Sequence, residues 1–202
     1  MAGPAPRAPR IAVEDVGGVA VVTFADRRIL ESSVIHAIGE DLYRLVDELG
    51  RRQVLLDFGN VEYLSSAALG KLIMLDRKLQ AVRGKLVICG LADGVRDVLV
   101  ATKVDQLVTV VTDPALAGAG GVLREVFGDP FRPSVFSPQW RTDAAVALAR
   151  GMDEAGDFSA MPILADALQD AGCDNADVLN HCRGGGPHVR GCWVVDFLLG
   201  QE

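Results

Sequence analysis

The 202-residue chain lacks any apolar run approaching the roughly 18 to 20 residues that a membrane-spanning helix requires. Residues 1–10 also lack the continuous apolar stretch of a secretory signal, and their Ala, Pro, Gly and Arg content predicts a flexible tail. Basic residues are scattered, and the formal net charge is −7, which disfavours nucleic-acid binding. We therefore expect a cytoplasmic protein that binds neither membranes nor nucleic acids.

Catalytic chemistry has few candidate residues in the first half of the chain. Between residues 11 and 113 the only histidine is His36, so no Ser–His or Cys–His pair can form there. A phosphate-cradling glycine motif is also missing. We therefore predict that the protein is not an enzyme, with no catalytic residue and no cofactor.

Residues 11–113 alternate short β-branched runs with longer helical patterns, which predicts an α/β domain with a mixed β-sheet and packed helices. Gly17-Gly18 separates two β-rich runs and indicates a hairpin. Ser32 or Ser33 is expected to cap the first helix. The predicted strands are Ile11–Val16, Val19–Phe24, Val54–Phe58, Leu86–Gly90 and Leu107–Thr112, and Val95–Ala101 is a predicted short helix. The predicted helical core stripes are Val34, Ile38, Leu42, Leu45, Val46 and Leu49, then Leu69, Leu72, Ile73, Leu79 and Val82.

The second half has a different character, because proline and glycine become frequent after Asp113. Residues 114–139 are predicted to form a short helical segment and a linker, and residues 140–202 a small, mainly α-helical C-terminal domain. Its predicted helices are Thr142–Met152, Met161–Ala171 and Ala176–Cys182. The apolar segment Cys192–Leu199 fits either a helix or a buried strand.

The most informative segment is residues 57–70, where a strand leads through a short loop to Ser65-Ser66 at the start of a helix. Backbone N–H groups at a helix start have no intrahelical partners, and the helix dipole is positive there. A phosphate on one serine would gain hydrogen bonds and add up to about two negative charges to the surface. The alternative is a simple helix cap, contributing about 1 kcal/mol. Both interpretations hold if Ser65 is the cap and Ser66 the phosphate acceptor.

The sequence DFGNVEYLSSAALG at residues 57–70, with the apolar strand at 86–90, resembles the STAS domain of bacterial anti-sigma factor antagonists. The resemblance spans about residues 11–113 and implies the STAS-like fold. Ser65 stands where many members have aspartate, and Ala68 stands where a glycine is common.

By this resemblance Ser66 is the phosphoacceptor, and Ser65, Ser66 and Glu31 belong to the partner-binding surface. It also implies an anti-sigma factor with kinase activity as the partner. The antagonist would bind this partner only when Ser66 is unphosphorylated, which frees a sigma factor, and a phosphatase would remove the phosphate.

Three cysteines and two histidines crowd the C-terminal residues: Cys173, His181, Cys182, His188 and Cys192. Their spacing lacks the C-x2-C knuckle typical of zinc sites, so we predict core cysteines and loop histidines, with no metal site. Zinc binding and a Cys182–His188 thiol mechanism remain as alternatives. Residues 161–168 and 186–196 resemble a short bacterial C-terminal module of unknown function. The alternative function is therefore a non-switching STAS scaffold that recruits partners through this module.

Overall fold

The computed structural model describes residues 9–112, 116, 119–129 and 135–201. The chain divides into two compact units, Met1–Val108 and Thr109–Glu202. The predicted mixed sheet with packed helices and the helical C-terminal part are both confirmed. Within the described ranges, the helices are too short or too polar to cross a bilayer. Most of the predicted tail (1–8) and the proline-rich part of the predicted linker (130–134) lie outside these ranges.

The main sheet has the strand order β1-β2-β4-β6-β7, and a separate two-stranded sheet pairs β3 with β5. β1 and β2 are antiparallel, whereas β2–β4, β4–β6 and β3–β5 are parallel. The central strand β4 is buried at Val54, Leu55 and Leu56, as expected for a strand covered on both faces. The strands are β1 (Ile11–Val16), β2 (Val19–Phe24), β3 (Arg28–Ile29), β4 (Gln53–Asp57), β5 (Tyr63–Leu64), β6 (Lys85–Cys89) and β7 (Thr109–Val110).

The hairpin predicted at Gly17-Gly18 is confirmed. Val16 pairs with Val19 across a two-residue turn, and both glycines have positive φ, at 58° and 93°. This left-handed backbone is what a tight hairpin turn requires, and glycine adopts it without steric cost.

Three α-helices complete the described part of the first unit, and the first two pack against each other. Their buried faces repeat every three to four residues, which is the helical period that the sequence showed. They are α1 (Ser32–Asp47), α2 (Ser66–Ala81) and α3 (Asp93–Ala101), followed by a 3-10 turn at Val104–Gln106.

Several predicted details in this unit are wrong. Neither Ser32 nor Ser33 caps α1, because the helix begins one residue earlier than expected and Glu31 occupies the N-cap position. Leu49 and Val82 are exposed beyond the ends of their helices. The last strand is confined to Thr109–Val110, because Leu107 and Val108 close the preceding 3-10 turn by donating their N–H groups to Val104 O.

The described part of the second unit contains five α-helices, and the last four of them share one apolar core. Thr142 caps one helix through Ala145 N–H at 3.3 Å, and Asn175 caps another. The ambiguous C-terminal segment is a helix, and within residues 114–139 the structure forms a helix at Ala119–Phe127. These helices are α4 (Ala119–Phe127), α5 (Asp143–Ala155), α6 (Met161–Asp170), α7 (Ala176–Arg183) and α8 (Trp193–Leu199).

Candidate functional site

The candidate site lies where the small sheet ends and two helices begin. β3 and β5 run parallel, with Ile29 opposite Leu64, and the hydrogen bond from Ser65 N–H to Ile29 O at 3.2 Å extends their pairing. β3 leads directly into α1, and β5 leads directly into α2. The parallel pairing therefore brings the first residues of both helices to the same edge.

The loop between β4 and β5 holds this edge in place. Phe58 and Val61 anchor it in the core, each with 1% of its surface exposed. Between them, the Asn60 side-chain amide donates hydrogen bonds to the backbone oxygens of Phe24 and Ala25, at 3.0 and 3.2 Å. The site therefore rests on a buried and hydrogen-bonded support.

The two serines have different structural positions. Ser65 is the N-cap of α2, and its side-chain oxygen accepts a hydrogen bond from Ala68 N–H at 3.3 Å. Ser66 is the first residue of the helix and is exposed. The helix has no acidic residue in its first turn. Capping by Ser65 leaves the Ser66 hydroxyl accessible from solvent.

Glu31 reaches the same edge from the other strand. It lies two residues after β3, is exposed, and makes no side-chain capping bond at the start of α1. The β3–β5 register thus places Glu31 and the serine pair at one edge of the domain. Their predicted roles in phosphorylation and partner binding remain predictions.

Apolar and small residues surround this edge, and sequence reasoning missed them. Leu30 and Tyr63 are 44% and 55% exposed, and on α2 Met74 is 44% exposed. Gly70 lies on the same helical face, one turn after Ser66 and one turn before Met74. A side-chain carbon added at Gly70 would meet no atom within 4 Å. The spacing of Ser66, Gly70 and Met74 was visible in the sequence, but their exposure was not.

Two arginines beside the site have partners across the small sheet. Arg27 forms an ion pair with Glu62, and the Arg28 guanidinium lies 4.9 Å from the centre of the Tyr63 ring. Both pairs link the β3 side of the small sheet to the β5 side. The Glu62 carboxylate is therefore engaged in an ion pair, whereas Glu31 at the start of α1 is exposed and makes no capping bond.

Within the described residues, His36, Cys89, Cys173 and Cys182 show no Cys–His hydrogen bond. His36 is exposed on α1, with Nε2 3.2 Å from Glu40. Burial raises the pKa of Cys89 to about 12, and the charge of Asp57 adds to this effect. Burial likewise raises the pKa of Cys182 to about 12 and raises the pKa of Cys173. Thiols with such pKa values are not nucleophiles at neutral pH.

The structure gathers four other side chains of the second unit into one cluster: Glu125, His181, His188 and Cys192. His181 Nε2 lies 3.1 Å from Cys192 Sγ, and His188 Nδ1 lies 3.2 Å from Glu125 Oε1. Burial lowers the pKa of His181 to about 4 and holds the pKa of Cys192 well above its ordinary value. Sequence reasoning named the two histidines and Cys192 but missed Glu125.

The first unit is therefore a small α/β domain that exposes the start of a helix beside a parallel strand pair. The STAS domain family model matches residues 10–117, just over half of the chain, and the chain belongs to this family. BtrV of Bordetella bronchiseptica, a proposed anti-sigma factor antagonist, is 29% identical over 89 residues, which span 44% of this chain and 74% of BtrV.

Two solved structures are similar to this chain over about half its length. A candidate anti-sigma factor antagonist from Thermotoga maritima is 21% identical, with a TM-score of 0.43, and the match covers 51% of this chain and 86% of that one. Unphosphorylated SpoIIAA, an anti-sigma factor antagonist, is 16% identical, with a TM-score of 0.41, and the match covers 50% and 86%.

Proposed function

We propose that the STAS domain is a regulatory binding module, an anti-sigma factor antagonist whose docking is controlled by phosphorylation of Ser66. The partner is an anti-sigma factor with kinase activity, and binding it frees a sigma factor. Membership of the STAS family and the similarity to BtrV support the antagonist role. The observation that carries the switch is the exposed Ser66 hydroxyl at the start of a helix that Ser65 already caps.

The different structural positions of the two serines favour Ser66 as the phosphate acceptor. The Ser65 oxygen is occupied by Ala68 N–H, so modification of Ser65 would disturb the cap. A phosphate on Ser66 would instead lie near the positive end of the helix dipole and keep the cap intact. The folded domain therefore tolerates both states of Ser66, which a reversible switch requires.

Electrostatics explain how one phosphate would prevent docking. An unphosphorylated edge presents the neutral Ser66 hydroxyl, the Glu31 carboxylate and the apolar side chains of Leu30 and Tyr63. Phosphorylation adds up to about two negative charges next to Glu31. A partner surface shaped for one carboxylate and apolar contacts would then bury an unmatched charge, which is costly.

The test measures affinity for an anti-sigma factor kinase encoded in the same genome. The wild-type chain is compared with Ser66→Ala and Ser66→Asp, and Ser159→Asp adds the same charge at an exposed serine of the second unit as a control. We expect Ser66→Asp to weaken binding by at least about tenfold, or 1.4 kcal/mol, with Ser66→Ala and Ser159→Asp near wild type. Equal affinity for Ser66→Asp and wild type would contradict the switch.

A further deletion separates this proposal from the scaffold alternative. Removing residues 140–202 should leave partner binding intact if the STAS domain carries the interface. Loss of binding in this deletion, with Ser66→Ala and Ser66→Asp both unaffected, would instead assign recruitment to the C-terminal module.

A further inference from the structure

We propose that the second unit contains a structural zinc site formed by Glu125, His181, His188 and Cys192. One ligand atom from each of these residues lies within 4.8 Å of all the others. The residues come from α4, α7, the loop after α7 and the position just before α8. The site is separate from the Ser66 edge and does not depend on the proposed switch.

The distances are close to those of a tetrahedral zinc site. Metal–ligand bonds of about 2.0–2.3 Å at tetrahedral angles put neighbouring ligand atoms about 3.3–3.8 Å apart. In the cluster, His181 Nε2 is 3.1 Å from Cys192 Sγ and 3.6 Å from Glu125 Oε2. His188 Nδ1 is 3.2 Å from Glu125 Oε1. Small side-chain adjustments would therefore be enough to admit an ion at the centre.

Four potential metal ligands converge in this cluster. His181 Nε2 faces both the thiol and the carboxylate, but a single N–H can donate well to only one of them. A cation at the centre gives all four converging atoms a common partner. It would bind His188 through Nδ1, the nitrogen that faces Glu125, and the buried Nε2 would then carry the proton of that ring.

Charge and burial also fit a divalent ion. The Glu125 side chain is 6% exposed and the His188 side chain 8%, while Cys192 is fully buried. When zinc binds, the Cys192 thiol releases its proton to solvent and the thiolate bonds to the metal. Zinc with one thiolate, one carboxylate and two neutral imidazoles has no net charge, which removes the cost of burying Glu125 alone.

A neighbouring backbone group orients one of the ligands. Val189 N–H donates to Glu125 Oε1 at 3.3 Å. Such contacts hold metal ligands in position. Cys192 is the N-cap residue of α8, next to the free N–H groups at the start of that helix. Four protein ligands close the coordination sphere, so the site is structural and not catalytic. It would fasten α4, α7 and α8 of the second unit together.

The mixed sulfur, nitrogen and oxygen donors favour zinc over calcium or magnesium, which prefer oxygen ligands alone. The remaining cysteines of this unit, Cys173 and Cys182, are buried but lie outside the cluster. The proposal therefore specifies one sulfur ligand, whereas a zinc site chosen from the cysteine-rich sequence would have two or three.

The experiment uses the tag-free full-length chain purified in chelator-free buffer. We expect about one zinc per chain by elemental analysis, and X-ray absorption should show one sulfur and three nitrogen or oxygen ligands. After exchange with Co²⁺, the protein should show the visible bands of tetrahedral cobalt and a sulfur-to-cobalt charge-transfer band. Substoichiometric zinc together with no Co²⁺ binding would overturn the proposal, as would two sulfur ligands.

A matched pair of variants identifies the sulfur. Cys192→Ala should lose the charge-transfer band, whereas Cys182→Ala removes an equally buried sulfur of the same unit and should retain it. Retention of the band in Cys192→Ala, or its loss only in Cys182→Ala, would contradict the assignment. X-ray absorption of the wild-type chain gives the sulfur count even if Cys192→Ala does not fold.

Discussion

Gly70 offers a sharp test of whether the exposed face of α2 is a binding surface. It lies within the helix, and an added Cβ would have no atom within 4 Å. Glycine inside a helix is less stable than alanine by roughly 0.5–1 kcal/mol. The Gly70→Ala variant should therefore be more stable, and its melting temperature should rise by about 2–6 °C. Among the described residues, no close contact at this position requires glycine.

Partner binding should respond in the opposite direction. If the anti-sigma factor packs against the backbone at Gly70, the added methyl group overpacks the interface by about 1–3 kcal/mol. That cost corresponds to an affinity roughly 5- to 150-fold weaker, measurable by titration calorimetry. The same substitution in wild-type and Ser66→Ala backgrounds should have the same effect, because it acts on contact and not on charge.

Gly151 provides the matched control. It is an exposed glycine within α5, and an added Cβ there would also meet no atom within 4 Å. Gly151→Ala should raise stability without weakening partner binding. A Gly70→Ala variant that is more stable and binds as tightly as wild type would refute close packing on this face. A less stable Gly70→Ala variant would contradict the open environment of the helix.

Three further predictions concern stability and reactivity. Ser65→Ala should lower the free energy of unfolding by about 1 kcal/mol because it removes the cap, while Ser66→Ala should have little effect; equal losses in chemical denaturation would contradict the assigned cap. Burial raises the pKa of Asp76, so the folded state holds this proton more tightly and stability should fall as pH rises through the raised pKa. In urea unfolding across this pH range, the free energy of unfolding should decline less for Asp76→Asn than for the wild-type chain. An equal decline in both proteins would rule out Asp76 as its source. Cys89 and Cys182 should react with iodoacetamide only after unfolding, and rapid labelling of the native protein would contradict their burial.

Much of the fold was predictable because long elements carry their own sequence pattern. The Gly17-Gly18 turn, the apolar strands and the helical stripes all specify local structure before any tertiary contact forms. β3 and β5 were missed because each has only two residues, too few for alternation to appear. Their pairing with each other defines them, and that contact is not visible in a single sequence.

The candidate sites were likewise predictable only where their residues are close together in the sequence. The Ser65-Ser66 pair stood out because a strand, a loop and a helix start are adjacent in sequence. Glu125 was not predicted as a site residue, because it lies on α4, far along the chain from His181 and His188. His181 and Cys182 are adjacent on α7, and of these two residues His181 joins the cluster. Spacing predicts local sites, whereas a cluster assembled by helix packing requires the fold.

The most direct test of the central claim is phosphopeptide mapping of the protein isolated from its native cells under several growth conditions. We predict phosphate on Ser66, with an occupancy that changes with condition, and none on Ser65. A consistently unmodified Ser66 in cells where the protein is abundant would contradict the switch and leave the serine pair with its capping role alone.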